Sequence, residues 1–357
     1  MSAAVDAALE GLRERVLAAG RGGGRLRIRG AGTKDFLGEA LEGELLSTQP
    51  LAGIVDYEPS ELVVTARAGT RLSELEALLA AHGQFLAFEP PAFGGDPTLG
   101  GIVAAGLSGP RRASAGAARD FVLGLRMLSA RGELLSFGGR VMKNVAGFDV
   151  ARLLCGSYGI LGLIVEASLK VLPRPAAELT LAFEMDAAEA ILAFNRWSRQ
   201  PLPLSATSWH DGVAHLRLSG VASAVAAART ALGGTTLGAA EAARWWAGLR
   251  DHAHPFLAPR EPLWRLSVAA TAPLLALPGS KLIEWAGALR WLRTSAAAED
   301  VREAARRAGG SAALWHGERG GRAFEPLSPA LLEIHRRLKA GFDPAGVFNH
   351  GRLVAGL

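Results

Sequence analysis

Near the N-terminus Val5, Leu9, Leu12, Val16 and Leu17 recur at helical spacing and predict an amphipathic helix over residues 4–19. The glycine run Gly22-Gly23-Gly24 ends it, and Leu26 to Arg29 follows as a short strand. Ile54 and the run Leu62 to Ala68 read as further strands. Ser73 with Glu76 has the pattern of a capping box opening a helix that carries Leu75, Leu78 and Leu79 and stops at Gly83. Phe121 to Ser129 and Leu134 to Phe137 are strands joined by a turn at Arg131-Gly132. Leu163, Val165, Ala167, Leu169 and Val171 alternate with Ile164, Glu166, Ser168 and Lys170, the period of a half-buried strand. Pro173 and Pro175 come next, which places a domain boundary at about residue 175.

Beyond that boundary the pattern changes. A strand at Leu179–Met185 leads into a helix opened by Asp186 and Glu189. Asp211-Gly212 is a two-residue hairpin signal between strands Ser205–His210 and Val213–Ser219. An alanine-rich helix covers Ala222–Leu232, strands cover Leu266–Thr271 and Ala312–His316, and a helix near Ala297–Ala308 lies between them. This alternation predicts an antiparallel sheet with helices on one side. A last helix, Pro329–Lys339, precedes Phe342-Asp343-Pro344 and Asn349-His350-Gly351.

Glycines stand at nearly every turn between Pro97 and Pro173, and a second glycine loop, Arg29-Gly30-Ala31-Gly32-Thr33-Lys34, lies upstream. Two glycine loops around one α/β unit suggest a phosphate-bearing cofactor held by backbone N–H groups. The upstream loop has Gly-x-Gly after a strand, but Asp35 stands where a dinucleotide fingerprint has its third glycine, and the loop is no Walker A motif. Taken alone it fits an ordinary tight turn as well as a phosphate loop. Pro97-Thr98-Leu99-Gly100-Gly101 with Ala104-Ala105-Gly106 suits close approach of a flat ring or a ribityl chain, and equally a close helix contact. Arg112 and Arg119 can pair with phosphate or simply face solvent. Gly156, Gly159 and Gly162 favour backbone contact with a ligand over a plain connection.

The length of 357 residues accommodates two domains, or one with a substantial insert. The net charge of +5 is scattered without a run of basic residues, which argues against nucleic acid and fits an anionic substrate or an acidic partner. Cys155 is the only cysteine, so the chain cannot close a disulfide or hold an iron–sulfur cluster alone, and a cytosolic location is expected. Asp6 and Glu10 stand where a secretory signal is apolar, and the apolar stretches near Ile102 and Ile160 are short, so no membrane span is expected. None of the eight histidines forms His-Glu-x-x-His. His252 and His254 have a spacing that can share a metal, but surface histidines are the favoured reading, and no metal site is assigned. Cys155 reads as a buried small hydrophobe, and no Ser-His-Asp nucleophile elbow is present.

Arg29-Gly30-x-Gly32-Thr33, Pro97 to Gly101, Gly156 to Gly162 and the terminal Phe342-Asp343-Pro344 with Asn349 resemble the FAD-binding fold of the vanillyl-alcohol-oxidase (PCMH) type. Leu107 to Arg112, Arg119 to Gly124 and Val141 to Asp149 narrow this to the FAD-binding subunits of glycolate oxidase. The resemblance implies an α+β protein: a PCMH-type FAD-binding domain in two α/β sub-parts (1–175), an antiparallel-sheet cap (176–328) and a C-terminal tail (329–357) that returns to the flavin. It implies FAD contacts from Arg29, Gly30, Ala31, Gly32, Thr33, Lys34, Pro97, Thr98, Gly100, Gly101, Ala105, Gly106, Ser108, Arg112, Gly116, Gly159, Gly162, Ile164 and Asn349. The loop at Gly30 has no histidine for covalent attachment, so non-covalent FAD is expected.

By the same resemblance, the partners are a related flavoprotein subunit and an iron–sulfur subunit. The protein would be cytoplasmic, peripheral at the inner membrane through the complex, and its substrate a small 2-hydroxy acid, glycolate or D-lactate. Catalytic relatives carry His-x-Gly-x-Gly in the cap, followed by acidic and asparagine positions. Here His316-Gly317-Glu318-Arg319-Gly320 lacks that continuation, and Asn349-His350-Gly351 has histidine where relatives place proline. If the chain is catalytic, His316 is the candidate base and Arg319 the candidate carboxylate clamp. The alternative is a flavin-binding relay or scaffold beside a catalytic sister subunit, and a solitary flavin reductase or oxidase of the same fold is a third reading.

Overall fold

The computed structural model describes residues 3–39, 42–139, 149–258, 262–317 and 322–357. The chain forms two compact units: Met1–Leu107 with Ala117–Pro173 and Pro326–Leu357, and Ser108–Gly116 with Arg174–Glu325. The elements in chain order begin with α1 (Ala3–Gly22), β1 (Leu26–Arg29), β2 (Glu44–Ser47), β3 (Ile54–Glu58), β4 (Val63–Arg67), α2 (Leu72–Ala81), β5 (Gln84–Phe85) and α3 (Leu99–Ala105). The short helices α4 (Arg112–Ala115) and α5 (Ala118–Phe121) lead to β6 (Val122–Leu128), β7 (Leu134–Gly138), α6 (Val150–Leu154), β8 (Leu163–Lys170) and β9 (Leu172–Pro173).

In the first unit β1 and β2 pair in parallel, and β3-β4-β8-β6-β7 form an antiparallel sheet. The buried face of α1, Leu12 and Val16, packs with Leu26, Leu46, Leu128 and Leu163. Helix α2 begins at Leu72 without a side-chain cap, so the expected capping box does not form. Ser73 lies inside the helix, and its N–H (3.0 Å) and hydroxyl (2.6 Å) both donate to the Asp96 carboxylate, which satisfies this helix end from outside. Strand β8 differs from its expected half-burial: Leu163, Ile164, Val165, Ala167, Ser168 and Leu169 are all buried. It is the central strand, flanked by β4 and β6 and covered by α3, so both faces are shielded.

The second unit contains β10 (Ala177–Glu184), α7 (Ala187–Ser198), β11 (Leu204–His210), β12 (Val213–Gly220), α8 (Ala222–Leu232), β13 (Thr235–Thr236), α9 (Ala239–Arg250), β14 (Leu263–Ser267), β15 (Ser280–Glu284), β16 (Leu289–Arg293), α10 (Ala298–Arg307) and β17 (Ser311–His316). They build one eight-stranded sheet, β13-β10-β12-β11-β15-β16-β14-β17, whose named pairs are antiparallel. The Asp211-Gly212 hairpin forms with positive φ at both residues (48° and 81°), the type I′ requirement. Asp186 and Glu189 close a reciprocal capping box at the start of α7. Strand β14 ends at Ser267, short of the expected Thr271, because Ala272 N closes a turn onto Ala269 O at 2.9 Å.

The helices do not all lie on one side of this sheet. Leu181, Leu216 and Leu218 pack with α7 and α8 on one face. Thr180 and Ser208 alternate onto the opposite face, where the indoles of Trp246 and Trp245 from α9 donate to their hydroxyls at 2.9 Å. The chain ends in α11 (Pro329–Phe342) and a tail that rejoins the first unit, where Phe348 bridges to Leu26 and Lys339 is buried.

Candidate functional site

The site is built where β1 ends. The chain leaves Arg29 through Gly30-Ala31-Gly32, and Gly32 has φ +79°, a conformation glycine adopts without strain. A side chain at Gly30 would fall on the Thr98 hydroxyl, so Gly30 lets the two loops touch. Gln49 Nε2 donates to Gly30 O at 3.1 Å, and its Oε1 accepts from Arg71 Nη2 at 2.7 Å. Arg71 Nη1 donates to Asp96 O at 2.9 Å, so one polar chain ties the Gly30 loop to the segment entering α3.

Helix α3 supplies the second wall. Gly100 lets it approach β4, since a Cβ there would come within 2.8 Å of the Ala68 Cβ. Gly106 ends the helix with φ +62° and lies against Gly156, where a Cβ would be 2.9 Å from the Gly156 Cα. The third wall is the turn before β8. Tyr158 (φ 53°) and Gly159 (φ 73°) reverse the chain, and a Cβ on Gly159 would be 2.7 Å from Asn349 Nδ2. Gly162 leaves room for the Met127 side chain, so its role is packing within the sheet. Asn349 joins two walls: Oδ1 accepts from Ile28 N at 2.7 Å and Nδ2 donates to Tyr158 O at 2.7 Å.

The cleft between these walls spans about 760 Å³ of non-atom space, part of it open solvent. Of the residues expected from sequence, Arg29, Gly30, Ala31, Gly32, Thr33, Lys34, Pro97, Thr98, Gly100, Gly101, Ala105, Gly159, Gly162, Ile164 and Asn349 line it together. Gly106 sits behind the wall as the helix cap. Ser108, Arg112 and Gly116 belong to the second unit, where the Arg112 guanidinium lies 4.8 Å from the Trp285 ring centre and Gly116 ends α4. His316 is the last residue of β17 in that same unit, paired with Leu263. Arg319 and the Lys143-Asn144-Val145-Ala146-Gly147 segment lie outside the described residues.

Sequence reasoning missed Arg352, whose guanidinium donates to Lys34 O (3.0 Å), Asp35 O (3.1 Å) and Glu39 O (2.9 Å) and so holds the chain after the Gly30 loop. No local signal marks it, because all three acceptors are backbone carbonyls more than 300 residues upstream. Tyr158 and Thr48 also line the cleft.

His252 and His254 are half-buried rather than fully exposed. His252 stacks on Trp315 with ring centres 5.4 Å apart and meets Trp291 edge-on, while His254 meets His210 and Trp245. Burial holds His252 down at about 3 and His254 at about 4, so both are neutral at pH 7. They face different aromatic neighbours, and among the described residues no group of His, Cys, Asp or Glu side chains has the geometry of a metal site. Cys155, the one cysteine of the chain, is half-buried at the end of α6.

The electrostatics favour an anion in the cleft. Burial pushes the Lys34 ammonium down to about 8, and it donates to the neutral Thr33 hydroxyl at 3.3 Å. The Thr98 hydroxyl is buried without a hydrogen-bond partner, beside the glycines that face the cleft. Narrow glycine walls, a partly desolvated cation and an unsatisfied hydroxyl together fit a flat ring system joined to a phosphate-bearing chain.

These features make the cleft the candidate cofactor site, and comparison with known proteins gives the class of cofactor. The model of the FAD binding domain matches residues 8–138. The glycolate oxidase subunit GlcE of Escherichia coli K12 is 47% identical over 332 residues, covering 93% of either chain. The glycolate oxidase subunit GlcD of Bacillus subtilis is 32% identical over 155 residues, 43% of this chain and 33% of that protein. A D-lactate dehydrogenase of Archaeoglobus fulgidus is 30% identical over 182 residues, 50% of this chain and 40% of that one. The fold is shared with alkyldihydroxyacetonephosphate synthase at a TM-score of 0.65 and 16% identity, covering 95% of this chain and 75% of that structure. The protein is thus an FAD-dependent oxidoreductase of PCMH-type fold. It belongs to the GlcE family of glycolate oxidase subunits.

Lys34 gives the site a pH signature. Where the diphosphate of FAD lies against Lys34 it favours the charged form, and binding then takes up a proton once free Lys34 begins to deprotonate near pH 8. Affinity is expected to be level below pH 8 and to fall as pH rises above it, by at most about tenfold per pH unit. FAD titrations from about pH 7 to about pH 9 check this, and Lys34→Met should bind more weakly with the slope removed.

Proposed function

We propose that this chain is the FAD-binding subunit of a glycolate oxidase-type 2-hydroxy-acid dehydrogenase. The observation that carries the reading is the near full-length similarity to GlcE together with a cleft assembled from the same residues that carry the family resemblance. In this reading the first unit is the cofactor domain and the second the cap. The backbone of residues 30–34, with Lys34, holds the diphosphate, while α3 and the Tyr158-Gly159 turn flank the ring and ribityl chain. FAD is bound without a covalent link.

Bound FAD supplies a hydride acceptor at N5. The chain's own residues hold the substrate carboxylate, for which Arg319 is the candidate, and accept the hydroxyl proton, for which His316 is the candidate. FAD held here would take up the Cα hydride, and the part of these residues would be to orient the carboxylate and accept the hydroxyl proton as the C=O of glyoxylate (or pyruvate, from D-lactate) forms. Reducing equivalents then pass to an iron–sulfur subunit, since Cys155 alone cannot support a cluster. A related flavoprotein subunit completes the complex, which is cytoplasmic and peripheral at the inner membrane. Among the described residues no helix is long and apolar enough to cross a membrane.

The second reading is a flavin-binding relay beside a catalytic sister subunit, and the shortened motif at His316-Gly317-Glu318-Arg319-Gly320 favours it. Anaerobic addition of glycolate or D-lactate separates the two. Bleaching of the flavin on the isolated chain, lost in His316→Ala, supports catalysis here. Bleaching only after the partner subunits are added supports the relay.

A further inference from the structure

Lys339 is 6% exposed on α11 and does not line the cleft. Its ammonium donates to Ile160 O at 2.6 Å, Phe348 O at 2.8 Å and Asp343 Oδ2 at 2.6 Å, which uses all its hydrogens. The Asp343 carboxylate, 2% exposed, also accepts from Val347 N (2.9 Å) and Phe348 N (2.8 Å). These contacts lie one residue away from the cleft on both segments. Ile160 follows Gly159, and Phe348 precedes Asn349, whose side chain bonds Tyr158 O and Ile28 N.

We infer that Lys339 is a positioning residue of the FAD site: its ammonium locks the Tyr158-Gly159-Ile160 turn to the Phe348-Asn349 tail, and so sets the shape of the cleft wall. The inference rests on the FAD reading of that cleft. The wall needs external support because Tyr158 (φ 53°) and Asn349 (φ 40°) both hold left-handed backbone that non-glycine residues adopt at a cost. An apolar side chain could fill the volume at position 339, but it would leave two carbonyls and a carboxylate without their common donor. The buried ammonium is therefore explained by the geometry it imposes, and Asp343 offsets part of its desolvation.

The test measures FAD dissociation constants and the visible circular dichroism of bound flavin, well below each variant's melting temperature. The variants are Lys339→Met, the charge-neutral double variant Lys339→Met/Asp343→Asn, and Lys339→Arg, which keeps the charge but not the convergence of three N–H groups on one point. Leu79→Ala, a cavity in the buried face of α2, controls for general destabilisation. The inference expects every folded Lys339 variant to bind FAD about tenfold more weakly or worse with an altered dichroism band, while Leu79→Ala stays within about twofold. Unchanged affinity and dichroism in Lys339→Arg and the double variant would overturn it, as would an equal loss in Leu79→Ala. A wild-type chain that takes up no FAD would instead sink the cofactor reading itself.

Discussion

Gly30→Val is expected to give a folded protein that does not retain flavin. Any side chain at this position enters the contact between the Gly30 loop and Thr98, which is 1% exposed. The Thr98 hydroxyl already lacks a partner in its buried position, so displacing it moves the start of α3 and the cleft wall together. Gly30 also presents its carbonyl to Gln49, so a shift here is transmitted to Arg71 and Asp96. The cost to the fold should be that of modest overpacking, about 1–3 kcal/mol. The cost to binding should be larger, because in the proposed binding mode the branched side chain obstructs the backbone approach of the Gly30 loop to the diphosphate. A loss of about a hundredfold in FAD affinity, roughly 2.7 kcal/mol, is the minimum expected. Visible absorption after purification and reconstitution checks the cofactor, and thermal unfolding of the apo chain checks the fold. Full flavin content in Gly30→Val would show that this loop is an ordinary turn.

Asn349→Ala should act in the opposite order, with stability lost first and the cofactor in consequence. Asn349 is 4% exposed and satisfies the N–H of Ile28 and the C=O of Tyr158 with one side chain. Removing it takes a hydrogen bond from each of two backbone groups, at about 1–3 kcal/mol each where water does not replace the amide. Its φ of 40° adds to this, since asparagine tolerates the left-handed region better than alanine does. A loss of about 2–6 kcal/mol is expected, a large part of the stability of an ordinary domain. Asn349→Asp should fall between, because it keeps the acceptor for Ile28 N and loses the donor to Tyr158 O. Denaturant unfolding of the apo chain measures both, and two variants as stable as wild type would remove Asn349 from its bridging role.

The glycine-rich segments were legible because turn chemistry and close approach leave a mark on residue choice. Gly32, Gly106 and Gly159 do have positive φ, as such loops require. What each glycine makes room for was not legible. Gly162 avoids Met127 and Gly100 avoids Ala68, contacts that depend on how the sheet and α3 come together. The same limit hid Lys339 and Arg352, which bond backbone carbonyls distant in sequence and so follow no motif.

Secondary structure shows a similar division. The Asp211-Gly212 hairpin and the Asp186 capping box carry their signals within a few residues, and both formed as expected. Strands β15 and β16 were missed because Lys281, Arg290 and Arg293 interrupt the apolar pattern. Arg290 is only 4% exposed, with its guanidinium turned onto the carbonyls of Gly287, Ala272 and Pro273. A cation satisfied by backbone carbonyls reads as surface in a sequence and as interior in the fold. His252 and His254 misled for a related reason, because the indoles that enclose them come from several separate elements.

The most direct test is a titration of FAD into the purified wild-type chain, followed by hydrogen exchange of the free and bound forms. The expected result is a yellow one-to-one complex with protection concentrated in residues 28–34, 98–106 and 158–162. A chain that stays colourless with added FAD, or one whose protection falls outside these three walls, would contradict the assignment of the cleft.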